Sequence, residues 1–273
     1  MKRTQLLYHA AVLALAFIFF SCGSSNVTLN LSAEERFQQG KKKFDDGDYL
    51  EAINEFDIVK LQFPGSSVAD DAQFYLGECR YKRDEFLLAA EEYQALKRNM
   101  PASSFVPQAQ FKTAMCFYSL TPKSSLDQKY ASRAIDEFQS FIEYNPTNEL
   151  VPEAEAKIKE MNIRLAKKIF DTAQLYMTME YYKAATIYYN TVIEKYHDSP
   201  YAEPALLGKA RSLLVRKKYE EAKLEIEKFK EKYPQSKLTK DAESLLNEID
   251  DHLKNKSSVI TPSSSAGKFP FHS

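Results

Sequence analysis

Apolar residues fall at helical intervals from Phe37 onward. Phe37, Gly40 and Phe44, and again Phe74, Gly77 and Tyr81, follow the i, i+3, i+7 spacing of a single helix face. The pattern recurs. Gly40, Gly77 and Ala114 are 37 residues apart, as are Ala173 and Ala210. A second series of small residues runs Ala52, Ala89, Ala134, Ala185 and Ala222. Four residues after each stands a bulky one: Phe56, Tyr93, Phe138, Tyr189 and Ile226. Pro64, Pro101, Pro146 and Pro234 close four of the units, and His197 holds the equivalent place in the remaining one, with Pro200 three residues later. Asp45-Asp46-Gly47-Asp48 and Lys82-Arg83-Asp84 read as tight turns between paired helices. No strand pattern is evident, so the chain is expected to be all-α.

Small residues at fixed places let two helices approach closely, and the bulky residue four later fills the gap between them. This arrangement resembles tetratricopeptide-type repeats over about residues 33–235. The resemblance implies a right-handed superhelical solenoid of about five helical hairpins. Two departures from the period are informative. Unit three carries 8 extra residues, near Thr121-Pro122-Lys123-Ser124-Ser125, a loop by composition. Another 14 enter between units three and four, close to four helical turns, which keeps the same face inward. Pro152 suits a first helical turn, and no Pro or Gly interrupts Glu153 to Glu180. One long helix is therefore expected near residues 152–180, about 42 Å in length. Leu238, Leu245, Leu246 and Ile249 give Lys237–Lys254 an apolar face suited to capping the last repeat.

The amino terminus reads as an address. Lys2 and Arg3 precede an uncharged apolar run, Ala10–Phe20, too short to span a bilayer as a helix. The run ends in Phe19-Phe20-Ser21-Cys22, which resembles a bacterial lipobox, with Phe19 where leucine is common. That resemblance implies a signal peptide over residues 1–21 and covalent lipid, palmitate included, on Cys22. Cleavage would take away two basic residues and change the net charge from −1 to −3. The expected organisation is a tether over 22–32, repeats one and two over 33–103, repeats three to five over 104–235, a capping helix over 236–254 and a disordered tail over 255–273.

Composition narrows the chemistry. Seven glycines in 273 residues argue against phosphate loops, and 37 basic against 38 acidic residues give no field for nucleic acid. No His-Glu-x-x-His or Cys-x-x-Cys spacing occurs, and adjacent acids such as Glu91-Glu92 point apart on a helix. No catalytic residue, metal site or cofactor other than the covalent lipid is therefore expected. Cys79 and Cys116 occupy the same place in successive repeats, too far apart for a disulfide, and are expected to be small buried residues.

Three strings extend the comparison: Lys43-Phe44-Asp45-Asp46-Gly47-Asp48-Tyr49, Arg164-Leu165-Ala166-Lys167 in the long helix, and Tyr196-His197-Asp198-Ser199-Pro200 at a repeat junction. With the lipobox, the tether and the 14-residue extension, they resemble the BamD family of outer-membrane assembly lipoproteins. The resemblance implies a non-enzymatic scaffold, lipid-anchored in the outer membrane and facing the periplasm. Its partners would be a BamA-type barrel protein and the carboxy-terminal signals of unfolded barrel proteins, which end in an aromatic residue. A receiving groove should then offer rings, and Phe37, Phe44, Tyr49, Phe74, Tyr81 and Tyr118 are the candidates. Positions 37 and 74 are the core candidates among them, and 44, 49 and 81, near turns, the exposed ones. Arg164 and Lys167 are the candidates for docking the BamA-type partner, although an arginine on an exposed helix is ordinarily solvated or ion-paired. One alternative is a periplasmic repeat adaptor for cell division or envelope maintenance, disfavoured by the lack of heptads between Cys22 and Ala33. Another is a solute-binding lipoprotein, disfavoured by the absence of tryptophan for sugar stacking.

Overall fold

The computed structural model describes residues 31–260. The expected signal peptide, Cys22, the tether up to residue 30 and the tail from 261 onward lie outside the described residues. Among the described residues the chain is all-α, with eleven helices in sequence. These are α1 (Ala33–Asp45), α2 (Tyr49–Gln62), α3 (Ala69–Lys82), α4 (Phe86–Asn99), α5 (Val106–Ser119) and α6 (Lys129–Tyr144). There follow α7 (Val151–Thr178), α8 (Tyr182–Lys195), α9 (Ala202–Val215), α10 (Tyr219–Lys232) and α11 (Thr239–Ile260). None is long and apolar enough to cross a membrane. The chain forms two compact units, one up to Ala72 and one from Gln73.

The first unit starts with a capping box. Ser32 Oγ accepts from the Glu35 amide, and the Ser32 amide donates to the Glu35 carboxylate at 2.9 Å. The last residue of the expected tether thus fixes the start of α1. Gly40 faces Phe56 so closely that a Cβ there would lie 2.7 Å from a ring carbon. Phe56 is wholly buried, with Phe37 against it at 5.6 Å between centroids. Arg36 and Lys43 of α1 pair with Glu55 of α2 at 3.1 and 2.9 Å.

The second unit repeats the device. Gly77 lies under Tyr93, and its missing Cβ would come within 2.4 Å of the ring. Arg80 and Gln73 hold Glu92 across the same pair of helices. Ala114, Ala173 and Ala210 of the first small series, and Ala89, Ala134, Ala185 and Ala222 of the second, are all fully buried. In the fourth hairpin the ion pair gives way to two stacked rings, Tyr176 on Tyr188 at 5.2 Å.

Both kinds of connection have fixed backbone geometry. In four hairpins, the residue seven places after the small one is left-handed: Gly47, Asp84, Glu180 and Lys217, with φ of 87°, 58°, 63° and 60°. The next amide closes a bond of 2.8 to 2.9 Å back to the helix, as Asp48 does to Lys43 and Lys218 to Leu213. Three of the four are not glycine, although this region disfavours a side chain. At the junctions between hairpins, Phe63, Met100, Asn145 and Tyr233 stop their helices one residue before proline, which disfavours the helical conformation at the preceding residue. Tyr196 has the same backbone with His197 in place of proline, so the packing of the hairpins is sufficient to hold it.

The long helix α7 spans 28 residues, Val151–Thr178, close to its expected position. It serves two partners end to end. Its first half packs on α6, where Phe138 and Phe141 meet Ala154 and Ile135 meets Met161. Its second half packs on α8, where Ala173 meets Ala185 and Phe170 lies 5.7 Å from Tyr189. The two partners are displaced along the rod by about 21 Å, the length of 14 helical residues. At the other end, Leu245 and Ile249 of α11 bury themselves in the cluster of Leu213, Ile226 and Phe229. This helix continues to Ile260, six residues into the span expected as tail, because no Pro or Gly intervenes before Pro262.

Tyr93 has no room to yield, since it is wholly buried and its hydroxyl donates to Glu78 at 2.6 Å. Gly77→Ala is therefore expected to destabilise the chain by about 1–3 kcal/mol, the usual cost of overpacking. Gly65→Ala, where a Cβ meets nothing within 4 Å, should fall within about 0.5 kcal/mol of the parent. Denaturant midpoints read by circular dichroism check both.

Candidate partner-binding surfaces

The aromatic candidates separate by exposure. Phe37 and Phe74 are 8% and 4% exposed, each packed against the buried ring of its hairpin. Each lies in the core of its hairpin and not on its exposed face. Phe44 and Tyr49 are half-buried in the first unit, in edge-to-face contact at 5.5 Å. In the second unit Tyr81 and Tyr118 are half-buried on α3 and α5. A lysine amino group lies over each ring, Lys112 at 5.3 Å from Tyr81 and Lys157 at 4.2 Å from Tyr118. The Tyr81 hydroxyl is 3.3 Å from Ser119 Oγ.

Beneath Tyr81 lies a polar network that periodicity did not disclose. Glu78, 9% exposed, accepts from the Tyr93 hydroxyl and pairs with Lys112 at 2.9 Å. Burial, reinforced by the Glu78 charge, pushes the Tyr93 phenol well above its ordinary range. Cys79 and Cys116 nearby are buried thiols outside any disulfide, and burial pushes each up to about 12.

The docking candidates lie where the halves of α7 meet. Arg164 Nη2 donates to Glu160 at 3.0 Å, and the other Glu160 oxygen accepts from Tyr118 at 2.7 Å. Lys167 pairs with Asp171 at 2.9 Å. The displacement along the rod leaves an open cleft on each side of this midpoint. One, of about 590 Å³, lies under the unit-three loop and is lined by Thr121, Lys123, Ser125, Ile163, Arg164 and Lys167. Lys168 donates to the Leu126 carbonyl, and buried Gln128 ties the loop to the Lys123 and Leu126 carbonyls. The two insertions that broke the period thus meet in one place. The second cleft, of about 550 Å³, lies against the junction at Tyr196–Ser199 and shares Ile163. Among the described residues no cluster of three or more His, Cys, Asp or Glu could hold a metal ion.

Helical hairpins in sequence, with small residues under rings, define a tetratricopeptide repeat protein, and residues 204–236 match the tetratricopeptide repeat model. Residues 30–215 match the outer membrane lipoprotein family YfiO, the BamD family, and the chain belongs to it. No curated protein matches the chain significantly. Similar solved structures include a tetratricopeptide repeat protein from Parabacteroides merdae, at 13% identity and TM-score 0.35 over 84% of this chain and 76% of that one. The TPR2AB domain of yeast Sti1 is similar at 16% identity and TM-score 0.41, over 83% and 94%. A Thermus thermophilus protein is similar at 13% and 0.34, over 82% and 100%.

Glu160 offers a test of the α7 cluster. Burial raises its pKa, but the hydrogen bonds from Tyr118 and Arg164 and the charges of Arg164 and Lys157 outweigh it, and the net shift is downward from 4.5. A depressed carboxylate contributes stability above its unfolded pKa and loses it as pH falls through the folded value. The stability lost on Glu160→Gln should therefore be constant above about pH 5 and shrink below about pH 4.5, as checked by denaturation at a series of pH values.

Proposed function

We propose that the chain is a non-enzymatic, periplasm-facing scaffold of the machinery that assembles outer-membrane β-barrels. It docks the periplasmic domains of a BamA-type barrel protein and receives the carboxy-terminal signals of unfolded barrel proteins. The observation that carries this reading is the family match over residues 30–215. The surfaces support it. Arg164 stands at the edge of an open cleft that also presents Lys123 and Lys167, a cationic surface suited to carboxylates of a partner. Within the second unit the half-buried rings of Tyr81 and Tyr118 suit a peptide ending in an aromatic residue, and so, by themselves, do those of Phe44 and Tyr49 in the first. Lipid on Cys22 would hold the scaffold at the membrane.

Two measurements test the two halves of the proposal. Arg164→Leu in the full lipidated chain should reduce co-purification of the barrel partner from detergent extracts, while circular dichroism stays unchanged. Recovery equal to the parent would remove Arg164 from the interface. A photo-crosslinker replacing Tyr81 should label peptides that end in phenylalanine and spare the same peptides ending in serine. Equal labelling of both would refute recognition of the signal at that ring.

A further inference from the structure

The hairpins α7–α8 and α9–α10 differ at their two ends. At the turn end, Leu175, Met179, Tyr181, Ile187 and Val215 are 57%, 50%, 58%, 59% and 46% exposed. The turns are neighbours, since Arg216 at the end of α9 donates to Thr186 of α8 at 3.1 Å. Between them lies an open, mostly apolar depression lined by Tyr181, Tyr182, Ile187 and Arg216. Lys183, Arg216, Lys217 and Lys218 surround these side chains. The carboxylates at this end are Glu180, Glu220 and Glu221, with Asp250 and Asp251 of α11, whose His252 stacks on Tyr219; Glu221 is paired with Lys218 at 2.6 Å and Asp250 with Lys223 at 2.8 Å. At the opposite end, the junctions Tyr196–Pro200 and Tyr233–Ser236 carry none of the exposed large apolar side chains found among the described residues. Their only carboxylate, Asp198, lies 3.4 Å from His197, and Lys195, Lys232 and Lys237 flank them, so the difference between the two ends lies in the exposed apolar side chains.

Large apolar side chains projecting from turn tips among cations are not the makings of a ligand pocket, which needs enclosure and convergent polar groups. They suit a soft amphipathic surface that accepts protruding side chains and supplies negative charge. Tyrosine partitions to the headgroup level, aliphatic side chains reach the acyl boundary, and lysine and arginine meet phosphate. Membership of an outer membrane lipoprotein family places such a surface beside the chain. We infer that the turn end of α7–α8 and α9–α10 is a second, reversible membrane contact that lies on an anionic phospholipid surface. A lipid-tethered scaffold is free to tilt and turn about its anchor, and a contact of this kind would restrict its orientation. The inference stands independently of the assembly reading.

The chain contains no tryptophan, so Tyr181→Trp introduces a unique fluorophore at the contact and His197→Trp one at the opposite end. Each full-length variant is reconstituted through its anchor into vesicles of phosphatidylcholine, with or without phosphatidylglycerol, carrying brominated acyl chains. Met179→Trp serves as the second probe should position 181 disturb the turn. With phosphatidylglycerol, emission at 181 or 179 should shift to the blue and be quenched by bromine, and emission at 197 should not. High salt should reverse the effect, as should Lys217→Glu with Lys218→Glu, each lost cation lowering the partition coefficient about fivefold. Emission at 181 and 179 that ignores brominated lipid would overturn the inference, and so would equal quenching at 197. A blue shift that appears only on addition of the barrel partner, without quenching, would overturn it in favour of a protein interface.

Discussion

The structure depends on one contact, a bulky side chain of the second helix of a hairpin laid on a small residue, glycine or alanine, in the first. Phe56 on Gly40 and Tyr93 on Gly77 bring paired helices closer than a methyl group would permit. The ring then occupies space that would otherwise be a void, and it is wholly buried in both cases. Tyr189 shows that the rule concerns space and not position. It lies within 2.4 Å of where a Cβ of Gly208 would be, on the following hairpin, while Phe170 covers its other side. With this contact in place, hairpin geometry follows. Turn residues as unlike as Gly47, Asp84, Glu180 and Lys217 adopt one left-handed conformation. Tyr196 takes up the pre-proline backbone without a proline. Local cost is overridden by a tertiary contact repeated along the chain.

Open clefts form where the repetition fails. Fourteen extra residues keep α7 in phase but displace its two partners by about four turns. That displacement opens a cleft on each side of Ile163, and the lengthened loop of unit three folds over one of them. Arg164 and Lys167 stand there with their own carboxylates, Glu160 and Asp171, which hold the two cations in place on the helix surface. A regular solenoid would have left these side chains on an unbroken wall of helices.

The sequence alone determined the fold class, the hairpin period, the long helix and both insertions. It did so because each rests on a local rule: small residues every 37 positions, and helix breakers or their absence. The partner of Arg164 was within local reach too, since Glu160 lies four residues away on the same helix face. Other features required the tertiary structure. Phe37 and Phe44 share one apolar stripe, and only the placement of α2 decides that the first is buried and the second half-exposed. The link from Tyr118 to Glu160 spans 42 residues, and the tie from Lys168 to the Leu126 carbonyl also spans 42. Glu78 reads as one more surface acid until Tyr93 and Lys112 close over it. Periodicity reports which residues face inward along one helix. Which of them meet, and what is left exposed, depends on the neighbouring helices, whose approach is set by packing and not by spacing along the chain.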